Sequence, residues 1–196
     1  LRKSKLIICR NHNQLSFLNK NLNCELSKIA IVNWGLNKKL FALTRTKNNK
    51  TINIISPRAS QNEYNINMIF DAVKRLKEIN YQIRFTYIKF NSKVKIKNDT
   101  VADKIIVSPN QDQLWHELVN SDICISVPSY DGFSNTILEC LALGNYVILS
   151  DLKPYKFIKD TNFLGYLMSF KNSYEKNVES LHLKLIKTIK NIEFIR

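Results

Sequence analysis

The chain has 196 residues, 44% hydrophobic and 10% aromatic, with 30 Lys and Arg against 16 Asp and Glu for a formal charge of +14. That length and apolar content suit one globular domain or slightly more, and with four Gly and four Pro they exclude global disorder, a collagen-like repeat and a flexible-linker chain. The charge predicts attraction to anions without choosing among phosphates, acidic lipids and nucleic acid. Part of the lysine excess is coding bias, because Lys (23), Asn (24) and Ile (24) together make 71 residues, the mark of AT-rich codons.

In chain order, the apolar runs KLIIC (5–9) and KIAIV (28–32) predict two short strands. The stretch between them carries Leu15, Leu18 and Leu22 at helical spacing. The Lys/Asn-rich segment from Asn37 to Lys50 is expected to be an exposed connection. Elements then alternate. Strand TINIIS precedes a helix with Ile66, Ile69, Phe70, Val73 and Leu76 on one face, and strand YQIRFTYI follows. After the lysine-rich turn 89–97 come strand KIIVS, a helix with Leu114 and Leu118, and strand DICISV. A helix over 134–143 is expected to end at Gly144 as its C-cap, followed by strand YVILS and a last helix over about 174–192 with Leu181, Leu185 and Ile189 on one stripe.

This alternation predicts an α/β fold with a doubly wound, mostly parallel, Rossmann-like sheet. Ligands of such sheets bind at the carboxyl ends of the strands, which directs attention to the loops after Ser56, Val107, Val127 and Ser150. Cys9, Cys24, Cys124 and Cys140 show no CxxC or His-paired spacing and are expected as reduced thiols, three of them in apolar runs. His12, His116 and His182 form no HExxH pattern, so no metal site is expected. No apolar stretch approaches the ~20 residues that span a bilayer, and Leu6–Cys9 is too short for a signal-peptide core. A soluble or peripheral protein is expected, and Leu1 in place of Met predicts a processed or partial chain.

The most informative segment is 126–151, SVPSYDGFSNTILECLALGNYVILSD. A strand runs into Pro128, Ser129, Tyr130, Asp131 and Gly132, and a helix begins near Ser134. Gly132 is expected to let the backbone turn closely, and the N–H groups around Phe133 to Thr136, at a positive helix end, favour an anion above the sheet. Asp131 and Glu139 could then accept from hydroxyls of a polyhydroxylated, phosphorylated ligand. Spacing alone equally allows Asp131 to cap the helix and Glu139 to be a solvated side chain.

The same segment resembles the signature PSxxEGFGxxxLEAMAxGxPVIxSD of the retaining GT-B glycosyltransferases of family 4 (group 1). Pro128, Ser129, Gly132, Phe133, Leu138, Glu139, Gly144, Val147, Ile148, Ser150 and Asp151 match in register. Ile54–Arg58 resembles the strand and Arg of the family's GRLxxxKG motif, and Val32–Asn37 its interdomain PNGVD segment. The resemblance implies that residues 1–35 are the tail of an N-terminal acceptor domain with the interdomain segment, and 36–196 the C-terminal nucleotide-sugar-binding domain. The chain is then the C-terminal half of an enzyme, inactive alone.

By the same resemblance Glu139 would accept from the ribose hydroxyls of a nucleoside-diphosphate sugar, and Asp131 would contact the transferred sugar. Gly132, Phe133, Ser134, Asn135 and Thr136 would meet the sugar and diphosphate, Arg58 would neutralise the leaving diphosphate, and Val107 and Ser108 would recognise the base. Catalysis is assigned to Asp131 and Arg58, with no cofactor and no obligatory metal. Asp131 stands where the family has Glu, and the family's phosphate-binding Lys after Arg58 is missing, Glu63 and Tyr64 occupying the neighbourhood; Lys153 is the proposed substitute. The glycines of GRL and of the following turn are missing too.

The expected partners are the nucleotide-sugar donor, a saccharide or lipid-linked acceptor and the N-terminal domain, in cytoplasmic surface-polysaccharide or glycolipid assembly. The lysine runs 89–97, 153–159 and 184–190 are weighed as solvated faces or as attraction to an anionic membrane at its inner face. Two alternatives stand beside this: a sugar-nucleotide epimerase of GT-B architecture, and a non-catalytic anion- or nucleic-acid-binding module. Aromatic residues do not interleave with the lysines as a base-stacking platform requires, so nucleic acid is not an expected partner.

Overall fold

The computed structural model describes residues 3–10, 12–32, 35–46, 51–59, 61–79, 81–90, 96, 99–132, 134–155, 158 and 164–195. A small N-terminal unit joins strand β1 (Ile7–Cys9), helix α1 (His12–Leu22) and strand β2 (Ile29–Ile31), with β1 and β2 paired in parallel. The rest is one six-stranded sheet built from β3 (Ile52–Ser56), β4 (Ile83–Lys89), β5 (Lys104–Val107), β6 (Ile123–Ser126), β7 (Tyr146–Ser150) and β8 (Gly165–Met168). Its strand order is β5-β4-β3-β6-β7-β8, and all five pairings are parallel. The helices are α2 (Ile66–Glu78), α3 (Gln111–Val119), α4 (Asn135–Ala142) and α5 (Tyr174–Ile195).

Alternation along each strand divides the core into two layers. Ile52, Ile54, Phe85, Tyr87, Ile123, Ile125 and Ile148 pack with α2 and α5, whose Phe70, Leu181, Leu185 and Ile189 are fully buried. Ile55, Ile88, Cys124, Val147 and Leu149 face the other way, onto α3 and α4. Each such side chain contributes ~1.5–3 kcal/mol on burial, so β6, whose Ile123, Cys124 and Ile125 alternate between the two layers, is held by both faces at once. Phe70 adds edge-on contacts to Phe85 at 5.1 Å and Tyr87 at 5.4 Å between ring centroids.

Gly144 stands just past α4 at φ +77°, the left-handed C-cap expected from its position. Cys9, Cys124 and Cys140 are buried and all four cysteines are free thiols. The connection 37–50 departs from expectation. Asn37 caps a short 3-10 turn over Lys38–Ala42 by accepting from the Lys39 N–H at 3.0 Å, and this places Leu40, fully buried, against Ile55 and Tyr155. Arg45, ion-paired with Asp122, and Thr46, donating its N–H to Asn120 Oδ1 at 3.0 Å, tie the segment down beyond it. Strand β8 was not anticipated, because four residues beginning in Gly give no periodic signal. Most of the run 89–97 and part of 153–159 lie outside the described residues.

The order of strands reverses between β3 and β6, so their carboxyl ends diverge and leave a crevice between them. The loop after β3 is tied to the loop after β6. Asn65, at φ +53°, donates from its side-chain amide to the Val127 carbonyl at 2.8 Å and Ser129 Oγ at 3.0 Å, and the Ser129 N–H donates to the Glu63 carbonyl at 2.6 Å. Below, Ser150 Oγ donates to the Pro128 carbonyl at 2.5 Å. Both ties hold the Pro128–Asp131 turn over the switch point.

Candidate active site

Arg58, two residues beyond β3, is the hub of this crevice. Its Nε donates to Ser126 Oγ at 2.7 Å and one terminal nitrogen to Ser134 Oγ at 3.1 Å. The other terminal nitrogen is ion-paired with the Asp131 carboxylate and lies 3.5 Å from the Tyr155 hydroxyl. The guanidinium also stacks 5.0 Å from the Tyr64 ring centroid, the neighbourhood in which the expected Lys is missing. The Tyr155 hydroxyl donates to the same Asp131 oxygen. Burial pushes the Tyr155 phenol up to about 12, against the opposing pull of Arg58, so it remains a donor at neutral pH.

Arg58 and Asp131 side chains are only 11% and 12% exposed, which makes their pairing an interior one. Ser134 is the N-cap of α4, yet its hydroxyl makes no cap bond because Arg58 holds it. The N–H groups of Asn135 and Thr136, the first two of α4, have no acceptor within the helix, and Asn135 Oδ1 is buried with no hydrogen-bond partner among the described residues. Gly132 has a negative φ, and a Cβ there would meet nothing within 4 Å. The backbone bends at Gly132, and among the described residues the space above it is open. Phe133 lies outside the described residues.

Glu139, further along α4, forms a separate cluster. Its Oε1 accepts from Trp115 Nε1 at 2.9 Å and Gln111 Nε2 at 3.2 Å, both on α3. Burial raises the Glu139 pKa and the Trp115 N–H partly offsets the rise. A solvated helix side chain, which spacing allowed, is thus not what stands here. Val107 ends β5 in an exposed position, and Ser108 follows at φ +47° with its N–H on the Lys89 carbonyl at 2.8 Å and its hydroxyl on the Phe90 carbonyl at 3.2 Å. Two residues on, Asn110 and Gln113 make a reciprocal capping box that starts α3 and so delivers Gln111 to Glu139.

A cleft of about 940 Å³ opens between the N-terminal unit and these loops, lined by Ile7, Arg10 and Gln14 on one side and by Tyr130, Asp131, Gly132 and Lys153 on the other. The structure thus joins Arg58, Asp131 and Ser134, and sets Asp131 and Gly132 on the cleft; Glu139 is grouped with α3 instead. Sequence reasoning missed Ser126, Tyr155, Trp115 and Gln111. A polar residue ending an apolar strand beside a motif Arg was the available signal for Ser126; Tyr155 and Trp115 carried none. Among the described residues no group of three or more His, Cys, Asp or Glu side chains could hold a metal ion. No helix among them is long and apolar enough to cross a membrane.

The sequence profile of the family described as Glycosyl transferases group 1 matches residues 39–193. Solved structures share the fold at low identity. A glycosyltransferase from Rickettsia africae is 19% identical with a TM-score of 0.74, over 97% of this chain and 54% of that one. The pneumococcal O-GlcNAc transferase GtfA, in complex with UDP and GlcNAc, is 16% identical with a TM-score of 0.72, over 95% and 38%. Anabaena HepE, in complex with UDP-glucose, is 10% identical with a TM-score of 0.67, over 94% and 55%. This chain therefore spans about half the length of such structures, or less. No curated protein matches it.

Proposed function

Because this chain belongs to the group 1 glycosyl transferases, we propose that it is the donor-binding part of a retaining transferase that moves a sugar from a nucleoside diphosphate to a saccharide or lipid-linked acceptor. The observation that carries this proposal is the convergence of Arg58, Asp131 and the free N–H end of α4 at the sheet's switch point, beside an open cleft.

In this reading the diphosphate lies over Gly132, faces the N–H groups of Asn135 and Thr136, and competes with Asp131 for Arg58. Its charge draws the guanidinium and releases the Asp131 carboxylate toward the hydroxyls of the donor sugar. Lys153, on the cleft wall, is the second cation. Glu139 keeps Oε1 on Trp115 and Gln111 and offers Oε2 to the ribose diol, and the Val107–Ser108 edge flanks the base. Preorganised N–H groups and Arg58 then stabilise the departing diphosphate and an oxocarbenium-like sugar, rather than an obligatory metal doing so. Attack on the face of departure gives retention. Residues 1–35 belong to the acceptor domain in this scheme, and surface polysaccharide or glycolipid assembly at the cytoplasmic face is the proposed setting.

Calorimetric titration of the chain with UDP, GDP and ADP and their sugar conjugates tests the donor site, repeated with Glu139→Ala. Binding of one nucleotide, weakened by ~1–3 kcal/mol in the variant with little change in Tm, is expected. Binding indifferent to the substitution would overturn the role given to Glu139.

A further inference from the structure

Outside the donor cleft, β8 and α5 border a second cavity of about 620 Å³ that shares no lining residue with it. Lys184 and Lys187 are three apart on the outward face of α5, and their ammonium groups stand 5.7 and 5.0 Å from the Tyr166 ring centroid. Tyr166 is itself fixed, its hydroxyl accepting from Asn191 Nδ2 at 3.0 Å. Lys171 enters the same cavity from the loop before α5. The two carboxylates lining it, Glu175 and Glu179, are taken by the fork of Arg75, at 2.7 and 2.8 Å. Among the described residues, none of the three lysines has an ion-pair partner.

Like charges at this spacing destabilise a helix, and the mutual repulsion is felt at Lys184, whose ammonium pKa is lowered by burial first, then by Lys187 and Lys171. The helix dipole does not account for them, since it acts within the last turn and Lys184 lies well before it. A solvated coding-bias lysine would extend into water rather than share one ring with a second lysine, as Lys184 and Lys187 do. The chemistry complementary to this cluster is an anion.

We propose that this cavity binds a phosphoryl group, either a soluble phosphate or the headgroup of an acidic lipid, between Lys171, Lys184 and Lys187, with Tyr166 setting the ammonium groups. The site is independent of the donor-binding proposal above, because no residue is common to both.

The test is titration of the whole chain, at physiological ionic strength, with inorganic pyrophosphate and with phosphatidylcholine vesicles with and without phosphatidic acid. Lys184→Gln with Lys187→Gln is compared with a control of equal charge change on the exposed Lys38 and Lys39, both to Gln. We expect the cavity variant to lose about tenfold or more in affinity for one of the probes, the control to keep it, and both to melt like the parent. Binding of pyrophosphate that the cavity variant loses identifies a soluble source; binding only of phosphatidic acid vesicles identifies a headgroup. A Lys184 pKa that rises when the probe binds, followed by NMR of the lysine side chains, confirms the place. Equal losses in both variants, or no binding of either probe, overturn the proposal, since net charge would then explain everything.

Discussion

Glu139→Gln separates a ligand-binding carboxylate from a scaffold one. Glutamine keeps the shape and an Oε1 acceptor for Trp115 Nε1 at 2.9 Å and Gln111 Nε2 at 3.2 Å, but it loses the charge and replaces the free oxygen with an NH₂ group. Burial raises the carboxyl pKa of Glu139, so ionisation there is unfavourable to the folded state. Its contribution to stability is full below the ordinary carboxyl pKa of the unfolded chain and is lost as pH rises through the raised folded value. Above that value the variant should melt at or slightly above the parent, and the difference should close as the solution is acidified. Donor binding should move the other way. A diol that donates to a carboxylate makes charge-assisted hydrogen bonds of ~1.5–3 kcal/mol, so nucleotide affinity should fall about 10- to 150-fold. Differential scanning fluorimetry between acid and neutral pH, beside calorimetric titration, measures both. A Tm loss of many degrees with unchanged affinity would refute the reasoning and make Glu139 a strut between α3 and α4.

Trp115→Phe keeps most of the buried ring but removes the Nε1–H; nucleotide affinity should drop about tenfold, and the pH midpoint of binding should move up, because that N–H lowers the Glu139 pKa. An unshifted midpoint would mean Trp115 only packs. Gly165→Ala should be among the most damaging substitutions in the chain, since φ is +148° and the new Cβ would lie 1.9 Å from the Val147 carbonyl oxygen. With strain and overpacking at ~3 kcal/mol or more, Tm should fall by about 6–12 °C in thermal melts, and a melt near the parent's would refute the β7–β8 register. Asp131→Ala leaves Arg58 buried without its counter-charge and should cost ~3 kcal/mol or more in urea unfolding, with Asp131→Asn recovering part. Equal effects of the two would argue against an interior ion pair.

The legible parts of the sequence were those with a period or a register. The mostly apolar strands β3, β6 and β7, the amphipathic α2 and the Gly144 cap follow from local rules that tertiary packing only reinforces. The positions of Asp131, Glu139 and Arg58 in the fold were legible because a motif placed them at the carboxyl ends of predicted strands or on the helix that follows. Their partners were not. Tyr155 reaches Asp131 from a 3-10 turn after β7, and Trp115 reaches Glu139 across two helices, so both contacts depend on strand order rather than on spacing. Gly132 was legible as a bend, but the open space above its Cα is set by the surrounding loops and carries no sequence signal. Leu40 and β8 were missed because one residue, or four, carries too little pattern.

The Arg58 network gathers an interior ion pair and several buried hydroxyls at this crevice. A buried ion pair contributes little to stability against a well-packed apolar equivalent, because both charges must leave water. Here the pair sits between two layers of Ile, Leu, Val and Phe side chains that supply the stability of the fold. The network is also over-satisfied on one side: Ser126, Ser134, Asp131 and Tyr64 all address one guanidinium, while the N–H groups at the start of α4 have no acceptor within the helix and Asn135 Oδ1 has no partner among the described residues. A cation held in place and unclaimed donors a few residues away together form a site whose complement is an anion with several oxygens. In the proposed mechanism an entering diphosphate satisfies those donors and takes one of the Arg58 bonds from Asp131, so the event that binds the leaving group also frees the carboxylate for the sugar.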